Sequence, residues 1–201
     1  MSAHAGHIPV ALKEWAVLCA GLGAGEQSVL VRKGGIREPR AAGQAPTFTP
    51  EHRGFWLLPT WFHAREPGRD RDLAPAARAR LPQVLADAPP AGRLHLSLWA
   101  EVDAAVEVHD LARLARLGDA HGLAAQCVAD RFAYRKPGLW VLFLRTYRTG
   151  QVIDIADRAE YAGCHSWVDL AEVVASDVEP VLTDREHAAR VAELRSALGD
   201  A

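Results

Sequence analysis

The strongest constraint on the fold is the alternation of apolar and polar residues between positions 93 and 108. Every even position from Leu94 to Val108 is apolar, and the odd positions are mostly polar. Successive side chains of a β-strand point to opposite faces of a sheet, so this period predicts a half-buried strand with its even residues inward. The segment is either one long strand or a hairpin that bends near residues 103–105. The chain therefore has to build a sheet.

Three other segments have the composition of strands. Residues 27–33 are rich in strand-forming residues and are followed by a glycine pair. The segment "LWVLFL" is apolar on both faces, as in a central strand, and "QVIDI" would pair with its continuation through a turn at Thr149–Gly150. The aromatic segment "GFWLLPTWFH" contains Pro59, which cannot donate a ladder hydrogen bond, so we expect it at a sheet edge.

Helical patterns separate these strands. After Pro9, apolar residues recur at spacings of three and four from Leu12 to Leu22, which predicts an amphipathic helix. Asp110 and Gly118 bracket a short helix, and a second helix follows it. Strands mixed irregularly with helices predict an α+β fold, in which a small, mainly antiparallel sheet or barrel is flanked by helices.

Length and composition suit one domain that spans residues 1–201, because 49% of the residues are hydrophobic. Residues 34–50 have hardly an apolar anchor, and we expect a mobile loop there. A helical C-terminal tail begins at about residue 184. The N-terminus does not have the pattern of a signal peptide, and no apolar run approaches the ~20 residues that span a bilayer. We therefore expect a cytoplasmic protein without membrane contact.

The cysteines give no sign of a disulfide framework or a metal site. Cys19, Cys127 and Cys164 are widely spaced and odd in number, and no C-x-x-C motif occurs. We expect buried, reduced thiols and neither a metal nor a cofactor.

The segment "GCHSW" at residues 163–167 places a thiol next to an imidazole. A catalytic pair has to meet at about 3 Å, whereas neighbouring side chains diverge along a strand or helix. We therefore interpret the segment as structural, with Gly163 in a left-handed turn, Cys164 buried, Ser166 capping a following short helix and Trp167 packing onto the core.

The net charge of −2 argues against a strongly basic nucleic-acid binder, but the charge is uneven. Residues 131–148 carry five basic residues and no acid, and aromatic residues are interleaved with them. Proteins that bind single strands or flipped bases use this mixture, because aromatic rings stack on the bases and basic side chains neutralise the phosphates. The contacts predicted for nucleic acid are Arg32, Lys33, Arg53, Trp61, Arg145 and Tyr147.

An alternative set of residues would support hydrolysis. Glu51 and His52 precede the aromatic segment and His63 closes it, and these side chains serve in acid–base chemistry or as metal ligands. Their spacing is not specific for either role, and no P-loop, dinucleotide fingerprint or G-x-S-x-G motif is present.

Four blocks occur in order along the chain, and they are "ALKEWAVLCAGLGAGEQSVLVRKGGI", "EHRGFWLLPTWFH", "LWVLFLRTYR" and "YAGCHSWVDL". Together they resemble an uncharacterised bacterial family, the domain of unknown function DUF1802. Relatives in this family are sometimes fused to Mrr-like restriction endonuclease domains. The resemblance thus implies a role in restriction, modification or defence, with a restriction endonuclease as a partner.

The segment "GEQSVLVR" contains Gly25, Ser28 and Arg32. This pattern weakly resembles that of PUA-like domains of the ASCH kind, which bind nucleic acid or modified bases, but the lysine of their pattern is missing. Only a binding role is therefore implied. The first hypothesis is a non-catalytic module that binds DNA or RNA and reads modified bases. The alternatives are a small hydrolase or nuclease, and a protein-interaction subunit that uses the loop at 34–50.

Overall fold

The computed structural model describes residues 3–4, 10–33, 52–61, 65–163, 165–170 and 177–199. The predicted loop at 34–50 lies outside these residues, and so do Glu51, His63 and Cys164. The strands are β1 (Ala3–His4), β2 (Val10–Trp15), β3 (Val29–Arg32), β4 (Gly54–Thr60), β5 (Arg93–Val108), β6 (Leu139–Ala156), β7 (Trp167–Asp169) and β8 (Asp177–Pro180). The helices are α1 (Ala16–Gly23), α2 (Pro75–Ala86), α3 (Leu111–Ala115), α4 (Ala125–Ala133) and α5 (Asp184–Leu198).

One curled, mixed sheet joins all of these strands in the order β1-β8-β6-β5-β4-β2-β7. Strand β3 pairs with the first part of β6, on the edge that β8 occupies further along. The pairing of β2 with β4 is parallel, and the other pairings between these strands are antiparallel. The predicted α+β class with a small, mainly antiparallel sheet is confirmed.

Apolar clusters cover both faces of the sheet, and alternation along β4 shows how they divide. Phe55 and Leu57 belong to the larger cluster, which also takes in α1 and β3, whereas Trp56 and Leu58 belong to the smaller one. Strand β4 is therefore apolar on both faces. It lies between β5 and β2, so the prediction of an edge strand is wrong. Pro59 is tolerated because β5 pairs only with Gly54–Trp56 and leaves the residues beyond unpaired on that side.

The strand predicted at 93–108 is confirmed as the single strand β5, with its even residues buried or half-buried. A register shift between Leu96 and Leu98 modifies the pattern. Leu94 and Leu96 contribute to the smaller cluster, and after the shift Leu98 faces the larger one. Between these two pairs β5 advances by two residues and β6 by five, so the ladder is irregular at this point.

Two other predictions are corrected. The hairpin at Thr149–Gly150 is absent, because β6 continues through these residues and β5 pairs with it on both sides of them. The helix predicted from Pro9 onward begins only at Ala16, because Val10–Trp15 form β2 between β4 and β7. Pairing with two neighbouring strands outweighs a local spacing that suits a helix.

Near the C-terminus, residues Asp184–Leu198 form α5, which is docked on the protein body. Thr183 and Glu186 form a capping box at its start. His187, Leu194 and Leu198 are buried along its length. Among the described residues, no helix combines the length and apolar character needed to cross a membrane.

Candidate functional site

A cleft of about 1180 Å³ opens where the ends of β2, β3 and β4 meet the segment before β7. The segment from Pro89 to Arg93 lines one part of the cleft, and residues 161–163 with His165 and Ser166 form another wall. The cleft lies where the curled sheet brings β3, at one edge, towards β2 and β7, at the other.

The floor of the cleft is an ion pair between Glu14 and Arg32. Arg32 Nη1 lies 2.7 Å from Glu14 Oε2, and only 3% of Glu14 is exposed. The second carboxylate oxygen of Glu14 accepts from the backbone N–H of Trp15 at 2.8 Å. Arg32 also donates to the carbonyl of Lys13 at 3.1 Å and to Ser166 Oγ at 2.9 Å. One guanidinium therefore links β3, β2 and the segment before β7.

Lys13 fastens the wall that residues 161–163, His165 and Ser166 form. Its Nζ donates to the carbonyls of Tyr161 at 2.9 Å and Gly163 at 2.7 Å. Its backbone N–H donates to the carbonyl of Ser166 at 2.9 Å. The two basic residues of the floor, Lys13 and Arg32, thus hold this wall against β2.

Aromatic side chains line the sides of the cleft. Trp15 is buried, and the guanidinium of Arg131 from α4 lies over its ring, with Cζ 5.4 Å from the ring centroid. Trp61 is half-buried at the end of β4, and Tyr161 lies on the wall that Lys13 fastens. Of these rings, Trp61 is the most exposed, since Trp15 and Tyr161 are both buried.

Basic residues at the rim differ in their engagement. Arg93 pairs with Asp154 at 2.8 Å. In the described part of the chain, no carboxylate forms an ion pair with Arg65 or Arg131, and both line the cleft. These two guanidiniums are therefore the ones placed to meet an anionic ligand.

The residues predicted as nucleic-acid contacts fall into two groups. Arg32 and Trp61 line the cleft. Lys33, Arg53, Arg145 and Tyr147 do not contribute to its lining.

Three residues of the second group, Arg145, Tyr147 and Lys33, have other partners. Arg145 bonds to Asp184 at the start of α5, with 2.6 Å between Nη2 and Oδ1. The hydroxyl of Tyr147 donates to Glu101 at 3.1 Å, and burial and this carboxylate raise the pKa of the tyrosine. Lys33 Nζ donates to the carbonyls of Phe132 and Gly138 at 3.0 and 2.9 Å, and burial lowers its pKa. The structure therefore separates these side chains from Arg32 and Trp61.

The segment "GCHSW" contributes to the cleft through Gly163, His165 and Ser166. Gly163 has a φ of 92°, in the region that favours glycine. The predicted helix cap at Ser166 is wrong, because Trp167–Asp169 form β7 and the serine hydroxyl accepts from Arg32 instead. Trp167 packs edge-on against Phe55, with 5.0 Å between ring centroids.

Neither a metal centre nor a thiolate is found among the described residues. They contain no group of three or more His, Cys, Asp or Glu that could hold a metal ion. His52, the described member of the predicted hydrolytic set, stacks edge-on against Trp167 at 5.2 Å. Burial raises the pKa of Cys19 well above its usual value, and it also raises that of Cys127. Both thiols therefore stay protonated at neutral pH.

Sequence reasoning missed most of the cleft, including Lys13, Glu14, Trp15 and Tyr161, whereas Arg131 belongs to the basic segment at 131–148 that it singled out. One signal could have identified the first two. Lys13 and Glu14 are the only charged residues between Val10 and Gly25, in an otherwise apolar stretch. Charged side chains in such a stretch are rarely buried unless they are paired.

Comparisons with known proteins complete the description. No curated protein matches the chain. Among solved structures, it is similar to the ASCH protein of Zymomonas mobilis at 16% identity and a TM-score of 0.42, over 91% of this chain and 93% of that one. A mutant of the Zymomonas mobilis ASCH protein gives 15% identity and a TM-score of 0.43, over 92% and 94%. At these values, the similarity transfers neither an activity nor a ligand. The family model of the domain of unknown function DUF1802 matches residues 11–193, so the chain belongs to that family.

Proposed function

We propose that this protein is a nucleic-acid-binding domain that holds a single-stranded segment in the cleft. The observation that carries the proposal is the lining of this cleft, where two guanidiniums that form no ion pair with a described carboxylate, those of Arg65 and Arg131, stand beside aromatic rings. Proteins that bind single strands combine a positive groove with aromatic stacking surfaces.

The size of the cleft supports an oligomeric ligand. Pockets for drug-sized molecules measure roughly 300–1,000 Å³. A cleft of about 1180 Å³ exceeds that range. A duplex keeps the faces of its bases stacked inside the helix, so it could not place a base face on an aromatic ring of such a cleft. An unpaired strand can place both bases and phosphates in it.

Two guanidiniums would neutralise phosphates in this arrangement. Arg65 is exposed and Arg131 is half-buried, and both line the cleft. The floor has little charge to offer, because the Arg32 guanidinium already neutralises Glu14. Arg65 and Arg131 therefore supply the salt-dependent part of the affinity, and Trp61 supplies a stacking surface.

Finer features of the proposal come from the family. The proposal includes two of them. The domain reads modified bases, and it works beside a restriction endonuclease in modification or defence. A flipped or unpaired base is the form in which proteins read base chemistry directly, and a concave aromatic cleft suits that form. The hydrolase alternative needs Glu51 and His63, and the interaction alternative needs residues 34–50. All of these lie outside the described residues, so both alternatives stay predictions.

Titration with fluorescent oligonucleotides at several salt concentrations tests the proposal. We expect single-stranded DNA or RNA to bind more tightly than duplex. Arg65→Ala and Arg131→Ala should each lower the slope of log affinity against log salt by about 0.7. Each variant makes one phosphate contact fewer and therefore releases fewer counterions when it binds. Trp61→Ala should cost roughly 1–3 kcal/mol per stacked base without changing the slope.

Residues outside the cleft supply matched controls. Arg135 and Tyr134 are both exposed and do not line it, so Arg135→Ala and Tyr134→Ala should leave affinity and slope unchanged. A series that includes base-modified oligonucleotides extends the test to the finer reading. If no oligonucleotide binds at low salt, the proposal is wrong and the interaction subunit becomes the leading hypothesis.

A further inference from the structure

We infer that the guanidinium of Arg131, held on the ring of Trp15, is the surface on which one unpaired base stacks. This inference rests on the proposed function and assigns its base-reading step to a named residue. It also narrows the ligand, because it requires a base with a free face.

Trp15 lines the cleft and lies under the guanidinium of Arg131. Trp15 ends β2 and directly precedes α1, and only 8% of it is exposed. Its indole lies in the lining of the cleft, but Arg131 lies over its ring. The guanidinium is therefore the group of this pair that is more available to a ligand, since Arg131 is the half-buried partner.

A guanidinium in this position can stack with a base. It is planar, always charged and weakly hydrated, so it stacks on aromatic faces on either side. Bases that are splayed out of a strand stack on aromatic side chains or on guanidinium planes. Arg131 lies against the indole of Trp15, also interacts with the thiol of Cys127 and forms no ion pair with a described carboxylate, so we assign the base to the guanidinium face turned away from the indole.

Arg131 is held both by its place on α4 and by the ring of Trp15. It lies in the last turn of α4, where a cation is favoured by the helix dipole. The ring of Trp15 restrains the free end of the side chain at 5.4 Å. A long side chain that is ordered before binding loses less entropy when a base stacks on it.

Two substitutions separate stacking from charge. Arg131→Lys keeps the charge but loses the plane, and Arg131→Gln keeps a planar end group but loses the charge. Each is titrated with a single-stranded oligonucleotide and with a series in which one base at a time is replaced by an abasic site. Thermal unfolding of each variant confirms that the fold persists.

For the wild type, we expect one abasic position to weaken binding about tenfold, which is within the range for one stacked base. For Arg131→Lys, intact and abasic strands should bind equally at that position, with the salt slope retained. Arg131→Gln should lower the slope and keep part of the abasic effect. Arg135→Lys is the control, because Arg135 lies over Tyr134 at 5.2 Å outside the cleft. It should leave the abasic effect intact.

The outcomes distinguish this inference from the proposed function. An abasic effect that persists in full in Arg131→Lys overturns the inference while the binding itself stands. Displacement of the strand by an acidic peptide, with no abasic effect at any position, also overturns it and makes Arg131 a carboxylate contact. Failure of the wild type to bind any strand removes the proposed function itself.

Discussion

At the scale of single residues, the cleft depends on side chains whose sequence context suggests another role. Leu12, Trp15 and Leu22 have helical spacing, which predicted a helix there. Lys13 and Glu14 were therefore not recognised as a pair at the end of a strand. The partners of this pair are Arg32, Tyr161 and Ser166, distant in sequence. Nothing local in the sequence encodes such contacts, so the network could not be predicted.

The imidazole of His121 gives a prediction at this scale. It is buried, with Nδ1 accepting from the backbone N–H of Leu123 at 3.1 Å. Burial lowers its pKa to about 4. Between pH 6.5 and 4 the unfolded chain binds this proton and the folded chain does not, so the free energy of unfolding should fall as the pH falls through that window. The full loss is about 3 kcal/mol, from about 1.4 kcal/mol per pKa unit.

A matched variant isolates this contribution from the carboxylates that titrate below pH 5. His121→Asn keeps an acceptor near Nδ1 but has no titratable group. Denaturant unfolding at pH 7 and at pH 5 should show a smaller loss for His121→Asn than for the wild type. Equal losses would mean that His121 is protonated in the folded protein.

At the scale of elements, periodicity predicted β3, β5, the start of β6 and the C-terminal helix, because each has a one-sided or wholly apolar pattern that neighbouring residues specify. Where the prediction was wrong, a pairing of distant segments decided the structure. β6 continues through Thr149–Gly150 because β5 is long enough to pair with both halves. The register shift at Leu96 and Leu98 exchanges the buried face, which simple alternation cannot show.

Two glycines in these strands provide a matched test of packing. A Cβ at Gly54 in β4 would lie 2.5 Å from Trp99 Cζ2, and Trp99 is buried. A Cβ at Gly150 in β6 would meet nothing within 4 Å. We expect Gly54→Ala to cost about 1–3 kcal/mol, because the indole ring has to shift in a packed core. Gly150→Ala should leave stability nearly unchanged or slightly raised.

Thermal or denaturant unfolding of both variants measures the difference directly. The contrast between them removes the general effect of restricting glycine in the unfolded chain. A Gly54→Ala variant as stable as the wild type would show that Trp99 has room to move, and that the two sheet faces at this point are loosely packed.

At the scale of the whole molecule, the class of fold followed from the sequence, but the closure of the sheet did not. Closure requires the edges formed by β3 and β7 to meet, and no ladder joins these strands. The Arg32 guanidinium spans the gap, from β3 to Glu14 on β2 and to Ser166 before β7. This guanidinium therefore links parts of the chain that no backbone ladder joins in the described sheet.

Because of this structural role, substitution of Arg32 should change stability and salt dependence differently from the loss of a phosphate contact. Arg32→Met should destabilise the protein by about 3–5 kcal/mol, because Glu14 is left buried without its counter-charge. Adding Glu14→Gln should recover much of that loss. In the single variant, hydrogen exchange should rise at β3 and β7 before the rest of the sheet. Affinity for a single strand should fall while the salt slope stays as in the wild type, since no phosphate contact is lost. A slope lowered as much as in Arg131→Ala would instead make Arg32 a phosphate ligand, as its place at the end of a strand predicts.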